Sequence, residues 1–320
     1  MQNGKLGLLG DVGATNARFA LLNPDGSMTA TKTCAIADFA SLAEAIEAYL
    51  AKVGGARPSL GALAVAAPIV GDAVSMTNHP WSFSIAALGG RLGLERLLVL
   101  NDFHANALAI PHLETADVAK LGAGAPIAGA PIGVIGPGSG LGVAGLIQRE
   151  GSDVAIEGEG GHVTLAPANG RESAVIERLR ARFGHVSAER ALSGPGLVNI
   201  YAALCELSGE AAPALTPPQI TDPRRTARDP RAREAVTMFC AMLGTLASNL
   251  ALTLGARGGV YIAGGIAPKL GPAVIGTPFR ERFEDKGRFR GYLASTPTYL
   301  IMRPTPALLG LAASVKRFLG

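Results

Sequence analysis

Two short loops of small residues, each flanked by apolar runs, have the composition of anion-binding turns. The first lies in LGLLGDVGATNARFALL (residues 6–22) and the second in IGVIGPGSGLGVAGLI (residues 132–147). Successive backbone N–H groups in a tight glycine-containing turn bind anions without a lysine. For either loop alone an ordinary β-hairpin is the simpler interpretation. Two of them, together with the AGG of residues 263–265, favour a shared nucleotide.

A carboxylate stands at the edge of the first loop. Asp11 would repel a phosphate unless a divalent cation, usually hydrated Mg²⁺, lay between them. Thr15 offers a hydroxyl in the same loop. A nucleotide accompanied by magnesium is therefore the predicted ligand.

Two other nucleotide motifs do not explain these loops. GLGVAG (residues 140–145) matches the G-x-G-x-x-G pattern of dinucleotide-binding domains, which requires a following helix. The continuation LIQREGSD (residues 146–153) is too short and turn-bounded for a helix, so we reject that interpretation. The G-x-x-x-x-G-K-[ST] pattern of P-loop proteins does not occur in the chain.

The elements around the first loop predict an α/β domain over about the first 110 residues. A strand is expected in MTATKTCAI (residues 28–36), followed by a helix in FASLAEAIEAYLAKV (residues 39–53) that Asp38 caps and Gly54 ends. The apolar runs LGALAVAAP (residues 60–68) and LLVLND (residues 97–102) are typical of parallel strands covered on both faces.

The second half repeats the strand–loop–strand design of the first. KLGAGAPIAGAPIG (residues 120–133) is a plausible boundary before the second copy. The pattern then predicts helices over 172–183 and 187–207, a polar connection over 208–232 and a long helix over 233–256; a strand in GGVYIAGGIAPKL (258–270) and a final helix over 306–319 follow.

Composition excludes several other classes of protein. The net charge of +4 comes without a basic run interleaved with aromatic residues, so we expect no nucleic-acid partner. Cys34, Cys205 and Cys240 are far apart and predict a reducing cytoplasm rather than a disulfide framework. The uncharged residues 235–256 are long enough to span a membrane. Their small residues recur at helical spacing and Asn249 is polar, so we expect a buried helix packed on a sheet and no membrane partner.

Seven segments in order resemble the bacterial glucokinases, within the ATPase superfamily of actin, hexokinase and the sugar kinases. They are GDVGATNAR (10–18), MTNHPWSFS (76–84), NDFHANALAIP (101–111), GPGSGLGVA (136–144), EGEGGHV (157–163), GHVSAERALSGPGLVN (184–199) and GGVYIAGGIAP (258–268). The zinc-bearing sugar kinases and repressors are set aside, because the three scattered cysteines cannot supply their clustered motif.

The resemblance implies an α/β fold of the two-domain actin-like ATPase (ribonuclease H-like) type, with an interdomain cleft and duplicated β-hairpin phosphate loops. It implies a small domain over residues 1–112, to which the helix of 304–320 returns, and a large domain over 113–303. It also implies a homodimer, which the sequence by itself does not indicate.

The same resemblance implies the ligands and their residues. ATP would lie under the two loops and the AGG segment, with Asp11 holding Mg²⁺ through water. The nucleotide-binding set is Gly10, Asp11, Val12, Gly13, Ala14, Thr15, Gly138, Ser139, Gly140, Gly264 and Gly265, and the glucose-binding set is Asn101, Asp102, Glu159, His162 and Glu189.

Asp102 is the predicted catalytic residue. A carboxylate within about 3 Å of the 6-hydroxyl of glucose can orient it and take its proton during phosphoryl transfer. The alternatives are structural: Asp102 as a helix cap for FHANALAI, His162 as a packing histidine, and Glu189 as a capping-box acid after Ser187 or a solvated helix residue. In EGEGGH, glycines would bring the backbone close while Glu159 and His162 face the ligand.

The predicted reaction is phosphorylation of D-glucose by ATP at the 6-hydroxyl. A kinase of another hexose or amino sugar is the alternative, and a non-catalytic sugar sensor is a third hypothesis. Three positions depart from the family pattern: Ala14 stands where a second glycine is usual, Ser139 where threonine is common, and Pro137 removes a backbone donor. They bear on nucleotide affinity.

Overall fold

A computed structural model describes residues 5–77, 79–149 and 153–319. The chain divides into two compact units. The first unit consists of the residues up to Glu114 together with those from Arg303 onward, and the second unit is Thr115–Met302. The family resemblance implied divisions after residues 112 and 303. The expectation of a boundary segment at 120–133 is wrong, because it starts within a strand of the second unit.

The strands account for the sheet framework of both units. In chain order they are β1 Gly7–Val12, β2 Asn16–Leu22, β3 Met28–Ala35, β4 Leu60–Val65, β5 Ala73–Ser75, β6 Ser82–Ser84, β7 Arg96–Asn101, β8 Val118–Leu121, β9 Ile132–Pro137, β10 Leu141–Ile147, β11 Val154–Gly158, β12 Gly259–Ile262 and β13 Thr298–Ile301.

The helices follow the same chain order. They are α1 Leu42–Lys52, α2 Ile85–Leu92, α3 Asp102–Ala109, α4 Gly170–Phe183, α5 Gly194–Leu207, α6 Pro217–Thr221, α7 Pro223–Arg228, α8 Pro230–Leu254, α9 Ala267–Glu284, α10 Arg290–Ser295 and α11 Ala307–Leu319.

The first unit is built on a five-stranded sheet of order β3-β2-β1-β4-β7. β1, β2 and β3 are antiparallel neighbours, whereas β1, β4 and β7 run parallel. Successive residues of a strand point to opposite faces, and Leu8 and Leu9 accordingly enter two different apolar cores. The sheet is thus covered on both faces, as its apolar strands predict. α11 packs with α3, β1 and β4 in this unit.

The second unit repeats that arrangement with one extra strand. Its sheet has the order β11-β10-β9-β12-β13-β8, in which β9 forms an antiparallel hairpin with β10 and runs parallel to β12. β8 is the addition, an antiparallel strand at the edge beside β13. The strand–loop–strand repeat predicted from the sequence is confirmed, and each copy lies in its own sheet. Only the first copy begins its sheet in chain order, because β8 precedes the second.

Several local predictions are wrong. α1 begins after Ser41, whose side chain accepts from the Glu44 N–H, so Ser41 and not Asp38 is the cap. The helix predicted over 187–207 consists of a 3₁₀ turn at Ala188–Arg190 and α5, which starts at Gly194. The connection predicted over 208–232 contains α6, α7 and the start of α8. Each of these helices begins with a proline, a residue that is favoured at the first helical position.

α8 is long and apolar enough to cross a membrane by length and composition, but most of it is buried inside the second unit. Its core residues include Phe239, Leu243 and Ala247. The buried helix predicted from its small residues is confirmed. Its main partner differs from the prediction: Gly244 lies against the Phe279 backbone of α9, while Leu250 reaches Gly133 of the sheet.

Candidate functional site

The first hairpin turns at Gly13–Thr15, between β1 and β2. The Gly13 N–H donates to the Asn16 carbonyl at 3.0 Å. The Ile36 N–H donates to the Thr15 carbonyl at 3.1 Å, which joins the turn to the residue that follows β3. Thr15 is exposed. Among described residues other than glycine, only Ala30 and Thr305 have a positive φ, so Ala14 adopts a conformation open to any residue. The departure at Ala14 therefore causes no backbone strain.

Two residues of the predicted nucleotide set lie inside the sheet. Val12 is fully buried. A Cβ at Gly10 would lie 2.6 Å from Leu63 Cδ2, so glycine is needed there for packing between strands. These two residues position the turn, and the backbone N–H groups open to a ligand are those of Ala14 and Thr15, because the Gly13 N–H donates to the Asn16 carbonyl.

Asp11 pairs across the hairpin with Arg18. The two residues are opposite each other in the strand register, and Arg18 Nη1 lies 3.5 Å from Asp11 Oδ2. The Asp11 side chain is only 17% exposed. Burial raises the pKa of this carboxyl above its ordinary value, and the Arg18 guanidinium opposes that shift. A hard carboxylate oxygen held in this way suits hydrated Mg²⁺, which proteins bind through one or two carboxylates plus substrate phosphates.

Asn101 and Asp102 end β7 and begin α3. Asn101 Oδ1 accepts from the N–H groups of Phe103 at 2.9 Å and His104 at 3.3 Å, so Asn101 is the cap that the sequence assigned to Asp102. Asn101 Nδ2 donates to the Ala67 carbonyl at 3.2 Å, which uses one of its two hydrogens. Asp102 Oδ1 lies 3.0 Å from the Phe103 nitrogen.

The sheet of the first unit brings these two groups to one edge. β1, β4 and β7 are parallel, with Val12 paired to Val65 and Val65 paired to Asn101. The ends of β1 and β7 are therefore two strand spacings apart, about 10 Å. Asp11 and Asp102 lie near the same carboxyl edge of the sheet.

The second hairpin turns at Gly138–Gly140, between β9 and β10. The Gly138 N–H donates to the Gly140 carbonyl at 2.8 Å, and Ser139 is exposed at the tip. The Gly194 N–H, at the start of α5, donates to the Gly138 carbonyl at 2.8 Å. This contact to α5 was not predicted.

The double glycine after β12 approaches the base of the same hairpin. The Ile266 N–H donates to the Pro137 carbonyl at 3.2 Å. Gly264 has a φ of +82°, and a Cβ there would lie 2.4 Å from the Pro137 oxygen, so only glycine fits. Gly265 is exposed with open space around it. Gly264 thus serves packing, and Gly265 is the member of the pair open to a ligand.

Glu159 and His162 lie together at a 3₁₀ turn, Gly160–His162, after β11. His162 Nε2 is 4.0 Å from Glu159 Oε2, and their side chains are 57% and 60% exposed. The glycines between them act differently from the prediction. A Cβ at Gly161 would lie 2.1 Å from the Leu141 carbonyl oxygen, so this glycine brings the turn against β10 rather than against a ligand.

Glu189 lies in the 3₁₀ turn Ala188–Arg190. Its Oε2 accepts from the Leu141 N–H at 2.8 Å, at the exit of the second hairpin. The Ser187 side chain makes no capping hydrogen bond, so the capping-box interpretation of Glu189 is wrong, and so is that of a merely solvated acid. The second unit therefore brings Glu189, Glu159 and His162 to the hairpin, because Ala188 N–H and Val163 carbonyl join their two segments at 2.8 Å.

Sequence reasoning missed Arg18 and Gly194. Arg18 could have been found, because a short turn over residues 13–15 places it opposite Asp11. Gly194 gave no local signal, since its partner Gly138 is distant in sequence. Close to these segments, His185 Nε2 lies 3.1 Å from the Thr164 hydroxyl.

Two units that share one order of five strands, each with a glycine-containing hairpin, define the class of actin-like ATPases with a ribonuclease H-like fold. The family model described as "Glucokinase" matches residues 8–318. The chain belongs to the glucokinase family.

Individual relatives agree with that assignment. A glucokinase of Paramagnetospirillum magneticum is 51% identical over 310 residues, which cover 96% of this chain and 97% of the relative. The solved structure of a glucokinase from an Antarctic psychrotroph has a TM-score of 0.85 and 34% identity, with 98% and 99% of the two chains covered. A Streptomyces griseus ROK-family glucokinase solved with glucose and AMPPNP has a TM-score of 0.63 at 17% identity over 98% and 99%, a likeness of fold.

Proposed function

We propose that the protein transfers the γ-phosphoryl group of ATP to the 6-hydroxyl of D-glucose, giving glucose 6-phosphate and ADP. Membership of the glucokinase family supports this activity. The observation that carries it for this chain is the grouping of Glu159, His162 and Glu189 around the second hairpin. A ring of hydroxyls needs fixed acceptors and donors, and a phosphate chain needs backbone N–H groups beside them.

Asp102 acts on the sugar hydroxyl in this proposal. Its carboxylate orients the 6-hydroxyl and accepts its proton as the oxygen–phosphorus bond forms and the bond to ADP breaks. The Asn101 cap fixes the start of α3, and so fixes the backbone that carries Asp102. The second hydrogen on Asn101 Nδ2 remains for a sugar oxygen.

The nucleotide is assigned to the two turns. Backbone N–H groups of Ala14 and Thr15 and of Ser139 and Gly140 face its phosphates, since those of Gly13 and Gly138 donate within their own turns. Gly265 lies on the side of the adenosine. Asp11 would hold Mg²⁺ through water, and the ion would neutralise charge on the phosphates when bound. Asp11 must be ionised to do so, and its raised pKa makes that step sensitive to pH.

Sugar selectivity is assigned to Asn101, Glu159, His162 and Glu189. A site built to hydrogen-bond a hydroxyl rejects analogues that lack it, because its polar groups are then left unpaired. By family likeness, glucose is the expected best substrate, ahead of its epimers and amino sugars.

The test is a coupled assay of ATP turnover over a panel of hexoses, with Asp102→Asn measured beside the wild type. We expect glucose to give the highest kcat/KM. We expect Asp102→Asn to lose nearly all of kcat while its glucose affinity, measured by calorimetry, stays within a few-fold of the wild type. A mutant with unchanged kcat would remove Asp102 from its role, and a preference for another hexose would favour the alternative kinase.

We further propose a homodimer that works in the cytoplasm. The support is the family likeness and the three free thiols, Cys34, Cys205 and Cys240, of which Cys240 is fully buried. Light scattering after size exclusion gives the mass in solution, and a monomer at micromolar concentration would contradict the dimer. Fractionation of cells tests the location.

A further inference from the structure

Leu141, the residue that leaves the second hairpin, is contacted by both segments assigned to the sugar. Its N–H donates to Glu189 Oε2 at 2.8 Å. Its carbonyl oxygen lies against Gly161, where a Cβ would approach to 2.1 Å. The hairpin assigned to the nucleotide therefore shares its exit residue with the turn of Glu189 and the turn of Glu159 and His162.

Glu189 is fixed at both its backbone and its carboxylate. Ser193 Oγ donates to the Glu189 carbonyl at 2.8 Å and, as the cap of α5, accepts from the Gly196 N–H at 3.0 Å. Gly194 of the same cap holds the Gly138 carbonyl. The 3₁₀ turn, the start of α5 and the hairpin thus form one hydrogen-bonded assembly within the second unit.

The two carboxylate oxygens of Glu189 have different surroundings. Oε2 accepts the Leu141 N–H and would lie 2.4 Å from a Cβ at Gly140, whereas Oε1 would lie 3.9 Å from it. Among the described residues Oε1 accepts no hydrogen bond, and the side chain is only partly buried. One oxygen is committed to the hairpin, and the other is available to a ligand.

We propose that Glu189 bridges the two substrates: Oε2 positions the nucleotide hairpin through Leu141, and Oε1 accepts a hydroxyl of the sugar. The proposal rests on the proposed function and adds a coupling to it. Because both contacts belong to one carboxylate, whatever moves it for one ligand changes the affinity for the other, and linkage makes that effect reciprocal.

The first test removes the carboxylate and measures nucleotide binding without any sugar. Glu189→Ala leaves the Leu141 N–H without its acceptor, and we expect its affinity for Mg·AMPPNP to fall about tenfold, as for loss of a charge-assisted hydrogen bond. Glu189→Gln keeps an oxygen for Leu141 but offers the sugar an amide. We expect it to bind AMPPNP within twofold of the wild type and glucose much more weakly.

Glu159→Gln is the matched control for that comparison. Glu159 belongs to the same predicted sugar set, yet its carboxylate lies beside His162 rather than on the Leu141 N–H. We expect weaker glucose binding and unchanged AMPPNP binding. Equal nucleotide affinity of Glu189→Ala and the wild type would overturn the proposal.

The second test approaches the same contact from the nucleotide side. Gly140 has no positive φ, so its backbone accepts alanine, but the added Cβ would displace Glu189 Oε2. We expect Gly140→Ala to weaken glucose binding at least fivefold in the absence of nucleotide. Ser139→Ala, at the exposed tip, is the control and should leave glucose binding unchanged.

These measurements separate the proposal from the function on which it rests. AMPPNP binding to Glu189→Ala is read without glucose, whereas the function is read as glucose-dependent ADP formation by the wild type. Thermal melting shows whether a variant is folded. If Glu189→Ala is not folded, Gly140→Ala decides: unchanged glucose affinity in that variant overturns the proposal.

Discussion

The two hairpins have the same topology but are fixed in different ways. The first carries a charge pair, Asp11 with Arg18, and its turn is tied to its own sheet through Ile36. The second carries no charge and is held by three other segments, through Glu189, Gly194 and Ile266. One fold element repeated in a chain can therefore carry a paired carboxylate in one copy and only uncharged groups, fixed by other segments, in the other.

The difference follows from the residues at the ends of the strands. The first strand of the second hairpin ends at Pro137, which lacks an N–H, while the Pro137 carbonyl accepts from the Ile266 N–H. The departure at Pro137 thus removes a donor from a strand end that is held by other contacts. The departure at Ser139 keeps a hydroxyl at an exposed position.

The largest expected effect is a loss of stability on substituting Gly161, whose 3₁₀ turn packs against Leu141 at the exit of the second hairpin. Gly161→Ala would place its Cβ 2.1 Å from the Leu141 oxygen. Backbone atoms cannot rotate away as a side chain can, so we expect a loss of about 3 kcal/mol in the free energy of unfolding. Urea denaturation followed by circular dichroism measures it. Gly158→Ala, with open space around the added atom, is the control. Equal stability of the two variants would show that the turn does not clamp Leu141.

The next effect concerns the charge of the first hairpin. We expect Asp11→Asn to lower kcat/KM for MgATP about 100-fold, as for loss of one electrostatic stabiliser of the transferred group. We also expect its melting temperature at pH 7 to equal or exceed that of the wild type. The raised pKa of Asp11 means that ionising this carboxyl costs more free energy in the folded state than in the unfolded state. A stability loss with intact kinetics would make Asp11 structural.

The pH dependence sharpens the same point. Because the pKa of Asp11 is raised on folding, the folded state keeps a proton at pH values where the unfolded state has lost it. Stability from this group therefore falls as the pH rises from about 4 through the folded pKa, and Mg·AMPPNP affinity rises over that window. Titration calorimetry from pH 4.5 to 8 measures the affinity. Arg18→Gln should move the midpoint upward, since Arg18 lowers the pKa; an unmoved midpoint would contradict this assignment.

The smallest effect tests the turn of the first hairpin. Ala14 has no positive φ, so replacing it with glycine relieves no backbone strain in the folded state. Glycine does increase the conformational entropy of the unfolded chain. We expect Ala14→Gly to lower the free energy of unfolding by about 0.5 kcal/mol. A clear stabilisation in urea denaturation would show that the alanine is strained.

The sequence predicted the elements whose signals are local. The apolar runs of β4 and β7 indicated covered strands, and the strand–loop–strand repeat indicated two domains. The cap of α1 was also readable, because Ser41 stands three residues before Glu44, but Asp38 was chosen instead. The contacts of the candidate site could not be predicted in this way, because they join residues that are distant in sequence. Glu189 and Leu141 are separated by 48 residues, and no local pattern reports such a contact. The glycines of EGEGGH could be identified as close approaches, but not their partner, Leu141.

The assignment of the site depends on our proposal that both hairpins bind one magnesium nucleotide. Hydrogen exchange of the backbone amides, read by mass spectrometry with and without Mg·AMPPNP, tests it at the turns themselves. We expect slower exchange in peptides covering residues 13–16 and in peptides covering residues 138–141. Protection of only one of these turns, or of neither while the nucleotide is bound, would contradict it.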